Sequence, residues 1–281
     1  LKAGEQGMLC PQMPEEYGGF GVDYRYNCIV DEEIGRCGAS GLTTFLMHSD
    51  IVCEYILHYG NEAQTQKYLP KMVSGEWIGA LAMSEPGAGS DVKAIKTTAV
   101  DCGDHYLVNG SKTFITNGFC CDIVVVAVKT ELNAGAKGVS LIILESGMEG
   151  FDKGQKLNKA GAHACDTAEL FFQDVKVPKE NLLGEEGKGF YYLMADLAQE
   201  RLAVAVNGLA VAESILEQTI EYTQDRKAFG KQVSSFQNTR FKIAEMSTEL
   251  GVARVYLDRC IELHLEQKLD GIEAAKLKLH V

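Results

Sequence analysis

The spacing of apolar residues changes twice along this chain of 281 residues, and that change constrains its fold more than any other feature. Up to about residue 78 apolar residues recur at helical spacing, from about 80 to 178 they alternate, and from Gly189 helical spacing returns. Helices and strands bury different sets of positions, so each segment with its own apolar spacing predicts a separate packed layer. The pattern therefore predicts an α+β protein with an N-terminal helical domain (1–78), a middle β domain (79–182) and a C-terminal helical bundle (183–281).

The first segment predicts three helices separated by turn residues, at 27–36, 44–58 and 61–72. Gly60 is the expected C-cap of the second helix, and Asn61 opens the third. Proline removes a hydrogen-bond donor from a helix, so Pro70 marks a candidate break in the third run.

The third segment predicts long helices near 189–226 and 235–268 and another from 272 onward. Long helices joined by short loops form an antiparallel four-helix bundle. The last run stops in mid-pattern, so we expect the sequence to be part of a longer protein, without the start of the first domain and the end of the bundle.

In the middle segment, Asn109-Gly110 lies between two alternating runs, His105–Val108 and Ser111–Thr116. This predicts a β-hairpin, because Asn-Gly accepts the positive φ angles of a type I′ turn. Turn residues separate the remaining alternating runs, which predicts an antiparallel barrel or sandwich. The further strands are expected at 122–129, 138–145 and 168–177.

The chain carries 27 basic and 39 acidic residues, a net charge of −12. Duplex nucleic acids and anionic membranes attract basic surfaces, so neither is an expected partner. The longest apolar runs, 123–128 and 141–144, are far shorter than the roughly 18–20 residues of a membrane span. We therefore expect no nucleic-acid partner and no membrane span.

Nine cysteines are scattered along the chain without a Cys-x-x-Cys pair, and the six histidines do not fall at metal-ligand spacing with them. This distribution predicts reduced thiols in a cytosol-like compartment rather than a disulfide framework. We expect no metal site.

The loop Ser84–Asp91 contains two glycines, a proline, two hydroxyls and two carboxylates, directly after an apolar run. Such a loop lets backbone N–H groups and hydroxyls approach a polar ligand, although a plain surface turn has the same composition. It is not a P-loop, because no Lys-Ser/Thr follows it. No Gly-x-Gly-x-x-Gly occurs in the chain, which argues against a nicotinamide-binding Rossmann domain.

Glu200 falls on the apolar stripe of the first long C-terminal helix, beside Leu193, Val204 and Val211. Burial disfavours the charged form of a carboxylate, which suits a general base that works near neutral pH. A structural ion pair with a nearby cation explains the same residue equally well.

The basic run Arg226–Lys231 follows that helix, with Gln237 just beyond it. Basic side chains at a helix C-terminus complement the helix dipole. The functional alternative is that these basic side chains bind a phosphate or nucleotide, and that the apolar side chain of Phe229 covers the ligand. The segment Phe114–Gly118 ends a strand, and Thr116 places a hydroxyl at the strand end. By itself this segment indicates only a turn.

Taken together, these residues resemble the acyl-CoA dehydrogenase family over essentially the whole chain. Five motifs occur in the family's order on a helical–β–helical layout. They are Pro14–Gly19, the stretch from Tyr59-Gly60 through Gln66–Pro70 to Ser74–Glu76, Met83–Asp91, Phe114–Gly118, and Asp225–Gly230 with Gln237.

The resemblance implies an FAD site. Ser84 would contact the flavin ring system, Thr116 would hydrogen-bond near its reactive nitrogen, and Phe114 stands where most relatives carry Trp. Arg226 and Gln237 would hold the ADP half of a flavin bound mainly by a neighbouring subunit. The implied cofactor-binding residues are Leu81, Met83, Ser84, Gly89, Ser90, Phe114, Ile115, Thr116, Arg226, Phe229 and Gln237.

The resemblance also implies the position of the catalytic base. Gln199–Leu202 is similar to the long-chain and isovaleryl types, which carry the glutamate before Arg-Leu on the first long bundle helix. Glu200 is therefore the implied general base. Tyr191-Tyr192 and Asp166–Phe172 also look like the long-chain type, and the implied substrate-binding residues are Ser90, Tyr191, Glu200 and Arg201.

The function that the resemblance implies is α,β-dehydrogenation of a fatty acyl-CoA to the trans-2-enoyl-CoA. Glu200 would act as general base, flavin N5 as hydride acceptor and electron-transfer flavoprotein as the electron acceptor. The resemblance further implies a homotetramer, or dimer of dimers, in a bacterial cytoplasm or the mitochondrial matrix. Two alternatives stay open: an acyl-CoA oxidase that passes electrons to oxygen, and a non-catalytic acyl-CoA- or flavin-binding homologue.

Overall fold

The computed structural model describes every residue from Leu1 to Val281, and these residues divide into two compact units. The first unit consists of Leu1–Val22 and Thr44–Leu197 and contains short helices and the whole eight-stranded sheet. The second consists of Asp23–Thr43 and Ala198–Val281 and is helical apart from one small hairpin. The predicted succession of helical, β and helical segments is confirmed, whereas the domain boundaries at 78 and 182 remain a prediction.

The helices follow the predicted runs to within a few residues, and Pro70 does not end its helix. The run expected at 44–58 contains a π-helical segment, Met47–Val52. Asn61 and Gln64 begin the next helix with a capping box, each backbone N–H donating to the other's side chain at 3.0 Å. The α-helices are α1 (Lys2–Glu5), α2 (Arg25–Arg36), α3 (Thr44–Leu46), α4 (Cys53–Tyr59), α5 (Glu62–Val73), α6 (Gly189–Asp225), α7 (Gln237–Leu265) and α8 (Gly271–His280).

Eight strands form the sheet in the order β6-β7-β3-β2-β4-β5-β8, with β1 beside β4. The prediction of an antiparallel arrangement is wrong at two places, because β1 and β2 both run parallel to β4. Parallel neighbours need a long crossover, and the chain between β1 and β4 supplies one. The strands are β1 (Gly79–Ala82), β2 (Thr98–Asp101), β3 (His105–Thr116), β4 (Ile123–Lys129), β5 (Val139–Glu145), β6 (Phe151–Lys156), β7 (Thr167–Pro178) and β8 (Leu182–Leu183).

The predicted hairpin turn at Asn109-Gly110 is wrong, because β3 runs through it as one continuous strand. Both halves of β3 pair with β7, and the register shifts between Val108 and Gly110. Gly110 has φ +149°, and a Cβ there would lie 2.5 Å from Oγ1 of Thr97. The glycine thus permits a close approach at a bulge rather than a reversal of the chain.

The centre of the sheet is buried on both faces. All seven residues of β4 are buried, which explains why this strand is a nearly continuous apolar run. The flanking strands β3 and β7 alternate between buried and exposed positions, as the period of two predicts. The first unit therefore offers a rigid support for the loops at the ends of β1 and β3.

The second unit packs α2, α6, α7 and α8 around one apolar core. The buried core residues are Tyr24, Cys28, Leu202, Ala205, Val206, Leu209, Ala253, Leu257, Cys260 and Leu277. Arg254 of α7 links three helices at the edge of this core, through a bidentate pair with Glu213 of α6 and a further contact with Glu32 of α2. None of the helices in the chain is both long and apolar enough to cross a bilayer.

Candidate active site

The loop that follows β1 is held against β3. The carbonyl of Ser84 accepts a hydrogen bond from the backbone N–H of Thr113 at 2.9 Å. Glu85 and Ala88 exchange backbone hydrogen bonds of 2.8 and 3.1 Å and so close a tight turn. Gly87 and Gly89 face open space in this turn. The loop therefore exposes the backbone at its two glycines, while hydrogen bonds hold its start against β3.

The anchor is a buried ion pair between Glu85 and Lys112, which the sequence analysis missed. The Nζ of Lys112 donates to Glu85 Oε1 at 2.8 Å and to the carbonyl of Met83 at 3.0 Å. The Glu85 carboxylate also accepts from the backbone N–H groups of Lys96 and Thr97, at 2.6 and 3.0 Å. Burial lowers the pKa of Lys112 to about 8. The pKa of Glu85 is lowered, because burial raises it less than its bonds to Lys112 and the two N–H groups lower it.

Phe114 is exposed because β3 carries a second bulge at its end. The pairing with β7 shifts register between Lys112 and Ile115, and Phe114 has φ +60°. Its side chain is 69% exposed, although its neighbours Thr113 and Ile115 are buried. Asn117 then ties the end of β3 to β1, since its Nδ2 donates to the carbonyl of Gly79 at 3.0 Å. The result is an exposed aromatic ring on a fixed backbone beside Ser84.

The structure thus brings together the two predicted flavin segments that belong to the first unit. Met83, Ser84 and Thr116 are half-buried, and Gly89 and Ser90 are exposed. Leu81 and Ile115 were predicted to bind the cofactor, but their side chains are buried in the sheet.

Glu200 lies in α6 within the second unit and is half-buried. Of the residues predicted beside it on the apolar stripe, Leu193 is buried but Val204 is 44% exposed, so the predicted stripe is buried only in part. The buried face of α6 is instead the one that carries Leu202, Val206 and Leu209. A helical wheel shows which residues form the apolar stripe but not which part of the stripe packs against other helices. In the structure Glu200 lies at the edge of the packed face. Its neighbour Arg201 donates from Nη1 to the carbonyl of Gly271 at 3.2 Å.

The basic run after α6 forms a two-residue hairpin between β9 (Lys227–Ala228) and β10 (Lys231–Gln232). Phe229 and Gly230 occupy its turn with φ values of +53° and +73°, the backbone of a type I′ turn. Phe229 is 97% exposed. Arg226 and Gln237, the first residue of α7, are exposed as well. All three side chains are free to meet another molecule.

Comparison with known proteins decides the family. Profiles described as the N-terminal, middle and C-terminal domains of acyl-CoA dehydrogenase match residues 1–76, 80–175 and 187–281. A crystal structure of acyl-CoA dehydrogenase from Geobacillus kaustophilus is 52% identical, with a TM-score of 0.96, over 98% of this chain and 73% of its own. The chain belongs to the acyl-CoA dehydrogenase family.

Curated members of the family show the same relation. Mitochondrial long-chain specific acyl-CoA dehydrogenase from Mus musculus is 46% identical over 99% of this chain, and mitochondrial isovaleryl-CoA dehydrogenase from Arabidopsis thaliana is 44% identical over 87%. The chain spans 65% of the length of the mouse relative and 60% of the plant relative. The resemblance stated from the motifs is therefore confirmed for the family.

This acyl-CoA dehydrogenase family member also contains a polar cluster where α4 faces the start of α6. Asp196 Oδ1 accepts from the hydroxyl of Tyr59 at 3.2 Å and pairs with Nδ1 of His58 at 3.4 Å. Nε2 of His58 lies 3.3 Å from Glu54 Oε2. Tyr59 in turn stacks on Tyr192, with ring centroids 4.0 Å apart. Tyr59 and Tyr192 both occur in motifs named above, but the sequence did not indicate that they meet, because the members of the cluster come from two helices that are far apart in the chain.

The cluster predicts a pH-dependent contribution of His58 to stability. The hydrogen bond to Asp196 raises the pKa of His58 despite partial burial, and Glu54 adds to the increase. The stabilisation is therefore complete below the unfolded pKa of about 6.5 and is lost as pH rises through the higher folded pKa. We expect His58→Gln to lower the melting temperature most near pH 6 and progressively less toward alkaline pH.

Thermal unfolding of both proteins across this pH range measures the effect. The same change at an exposed histidine, His163→Gln, is the matched control. A melting-temperature difference for His58→Gln that stays constant with pH would contradict the predicted linkage.

Proposed function

We propose that the full-length protein is an FAD-dependent acyl-CoA dehydrogenase that acts on long-chain fatty acyl-CoA. The observation that carries this proposal is the exposed Phe114 ring beside the anchored Ser84 loop. A flat ring system with polar edges fits an exposed aromatic ring on a strand that also carries Thr116 and is hydrogen-bonded to the Ser84 loop. The family membership and the 46% identity to a long-chain enzyme support the same assignment.

The remaining predicted cofactor residues are suited to a flavin shared between subunits. Gly87 and Gly89 leave room for close approach of the main chain to the ligand, with Ser90 beside them. The exposed hairpin with Arg226 and Phe229 is free to reach the ADP half of a flavin in a neighbouring subunit. We accordingly propose a homotetramer, in which oligomerisation completes the cofactor site.

In the proposed reaction, Glu200 removes a proton from the α-carbon of the thioester. The chemistry that FAD supplies when bound is acceptance of the β-hydride at N5. The half-buried position of Glu200 keeps its carboxylate within reach of substrate while limiting its solvation. Tyr191, which is exposed, and Arg201 are the proposed lining of the acyl-CoA site. Electron-transfer flavoprotein is the proposed acceptor, in the mitochondrial matrix or a bacterial cytoplasm.

The visible spectrum of the full-length protein, before and after anaerobic addition of palmitoyl-CoA, tests this function. We expect a flavin band near roughly 450 nm that bleaches on addition. A band that persists with palmitoyl-CoA but bleaches with isovaleryl-CoA would reject the long-chain assignment and keep the reaction. A colourless protein would contradict the proposal as a whole.

An oxidase is the second candidate, and one specific comparison favours keeping it. A prolyl acyl carrier protein oxidase, AnaB, is 30% identical with a TM-score of 0.95 over 99% of this chain. Peroxide release during aerobic turnover distinguishes the two activities. A dehydrogenase releases little peroxide and transfers electrons to electron-transfer flavoprotein, whereas an oxidase releases one peroxide per turnover.

A further inference from the structure

Two buried cysteines lie against each other in the first unit. Cys10 lies in the segment between α1 and α2, and Cys53 is the first residue of α4. Both are fully buried, and their Sγ atoms are 3.1 Å apart. They are 43 positions apart in the chain, so sequence spacing did not reveal the pair. The reaction proposed above does not use either thiol.

His48 lies beside this pair, and the three candidate ligand atoms fall within 4.8 Å of one another. Both imidazole nitrogens are nevertheless committed to the backbone. The N–H of Gly79 donates to Nδ1 at 3.1 Å, so the ring proton is on Nε2, which donates to the carbonyl of Met72 at 2.9 Å. A ring engaged on both sides has no lone pair for a metal ion. The cluster is therefore a dithiol and not a metal site.

The surroundings of the two thiols differ. The backbone N–H of Cys10 donates to Ser49 Oγ at 3.1 Å, with Cys10 Sγ 3.6 Å from the same oxygen, whereas Cys53 Sγ lies 3.9 Å from the thioether of Met72. Burial raises the pKa of Cys10, but the neighbouring Cys53, His48 and Ser49 together lower it by more, and the net result is a lowered pKa. Burial raises the pKa of Cys53. Cys10 is thus the stronger nucleophile and Cys53 the thiol that stays protonated.

We propose that Cys10 and Cys53 form an oxidisable pair that closes to an intramolecular disulfide when the protein meets a hydroperoxide. The Cys10 thiolate attacks one peroxide oxygen, the O–O bond breaks, and with one proton the products are Cys10 sulfenic acid and water. The Cys53 sulfur then attacks Sγ of Cys10, the S–S bond forms, and the hydroxyl leaves with the Cys53 proton as water. Two thiols and one hydrogen peroxide give one disulfide and two waters.

The disulfide would tie the segment between α1 and α2 to the start of α4. Cys10 has φ +50°, a backbone conformation that packing maintains, and the bond would hold it in place. Closing a loop of 43 positions restricts the unfolded chain, so we expect oxidation to raise the melting temperature by several degrees.

Treatment of the purified full-length protein with hydrogen peroxide tests the proposal. The free thiols are alkylated under denaturing conditions, and the non-reduced digest is analysed by mass spectrometry. We expect one cross-linked peptide pair that joins Cys10 to Cys53 and disappears after reduction with dithiothreitol. Buried Cys121, whose thiol donates to the carbonyl of Gly118, is the internal control. We expect it to stay a free thiol during peroxide treatment and to be alkylated afterwards.

The variant Cys53→Ser provides a second readout, since serine keeps a hydrogen-bond donor beside Cys10 but cannot form a disulfide. Cys10 then stops at the sulfenic acid and is trapped by dimedone. If this variant fails to fold, the wild-type digest still decides the question. Alkylation of both Cys10 and Cys53 after peroxide treatment, or their cross-linking to other cysteines, would overturn the proposal. These readouts are independent of flavin and substrate, so the result stands apart from the proposed activity.

Discussion

Replacement of Glu200 by Gln is expected to slow reduction of the bound flavin by acyl-CoA by about 10²–10⁴-fold, the range found when a general base is removed. The amide has nearly the shape of the carboxylate but cannot accept the α-proton. Because Glu200 is half-buried and not in the core, we expect the substitution to cost little stability. The variant should therefore retain its flavin and unfold near the wild-type temperature. Stopped-flow absorbance after mixing with palmitoyl-CoA measures the rate.

The matched control is Glu217→Gln, an exposed carboxylate on the same helix. It makes the same chemical change and should leave the rate of flavin reduction unchanged. Normal reduction in Glu200→Gln would remove this residue from the reaction. Equal slowing in both variants would indicate a general effect of charge on α6 rather than proton transfer.

The second large effect concerns the ion pair that anchors the Ser84 loop. We expect Lys112→Met to lower the free energy of unfolding by about 3–5 kcal/mol, because the buried carboxylate of Glu85 loses its cation. The Glu85 side chain would keep only the two backbone N–H donors that it now accepts from. Urea unfolding at neutral pH measures the loss as a shift of the midpoint at constant slope.

A surface ion pair gives the comparison. Lys67 Nζ lies 2.6 Å from Glu145 Oε1, but the two side chains are 48% and 26% exposed. Lys67→Met is therefore expected to cost less than about 1 kcal/mol. The double variant Glu85→Gln with Lys112→Met should recover part of the stability lost in Lys112→Met, since no buried charge remains and the amide oxygen can still accept from the backbone. Equal losses for Lys67→Met and Lys112→Met would contradict the anchoring role.

Local patterns predicted the helices well because a helix depends on residues close in sequence. Asn61 marked one start, and the long apolar spacing of α6 marked its whole length. The Asn109-Gly110 turn failed for the opposite reason. The local preference for a turn lost to β7, which pairs with both halves of β3 and keeps the strand continuous.

The candidate site divides in the same way. The loop at Ser84 was found from its residue types, whereas the segment at Phe114 by itself indicated only a turn and was found through the family resemblance. The partnership of Glu85 with Lys112 was not, since one residue lies in a loop and the other is an inward-facing position of β3. A lysine at an inward position of an alternating strand was the one signal that could have revealed it.

By itself, the sequence determined the order of helical and β segments, the family and the position of the proposed base. These follow from spacing and residue identity, which do not depend on how distant segments meet. Only the tertiary structure decided that Phe114 is exposed at a bulge, that Glu85 is buried against Lys112 and that Cys10 touches Cys53. Each of these depends on the packing of segments far apart in the chain, where burial and pairing outweigh local preference.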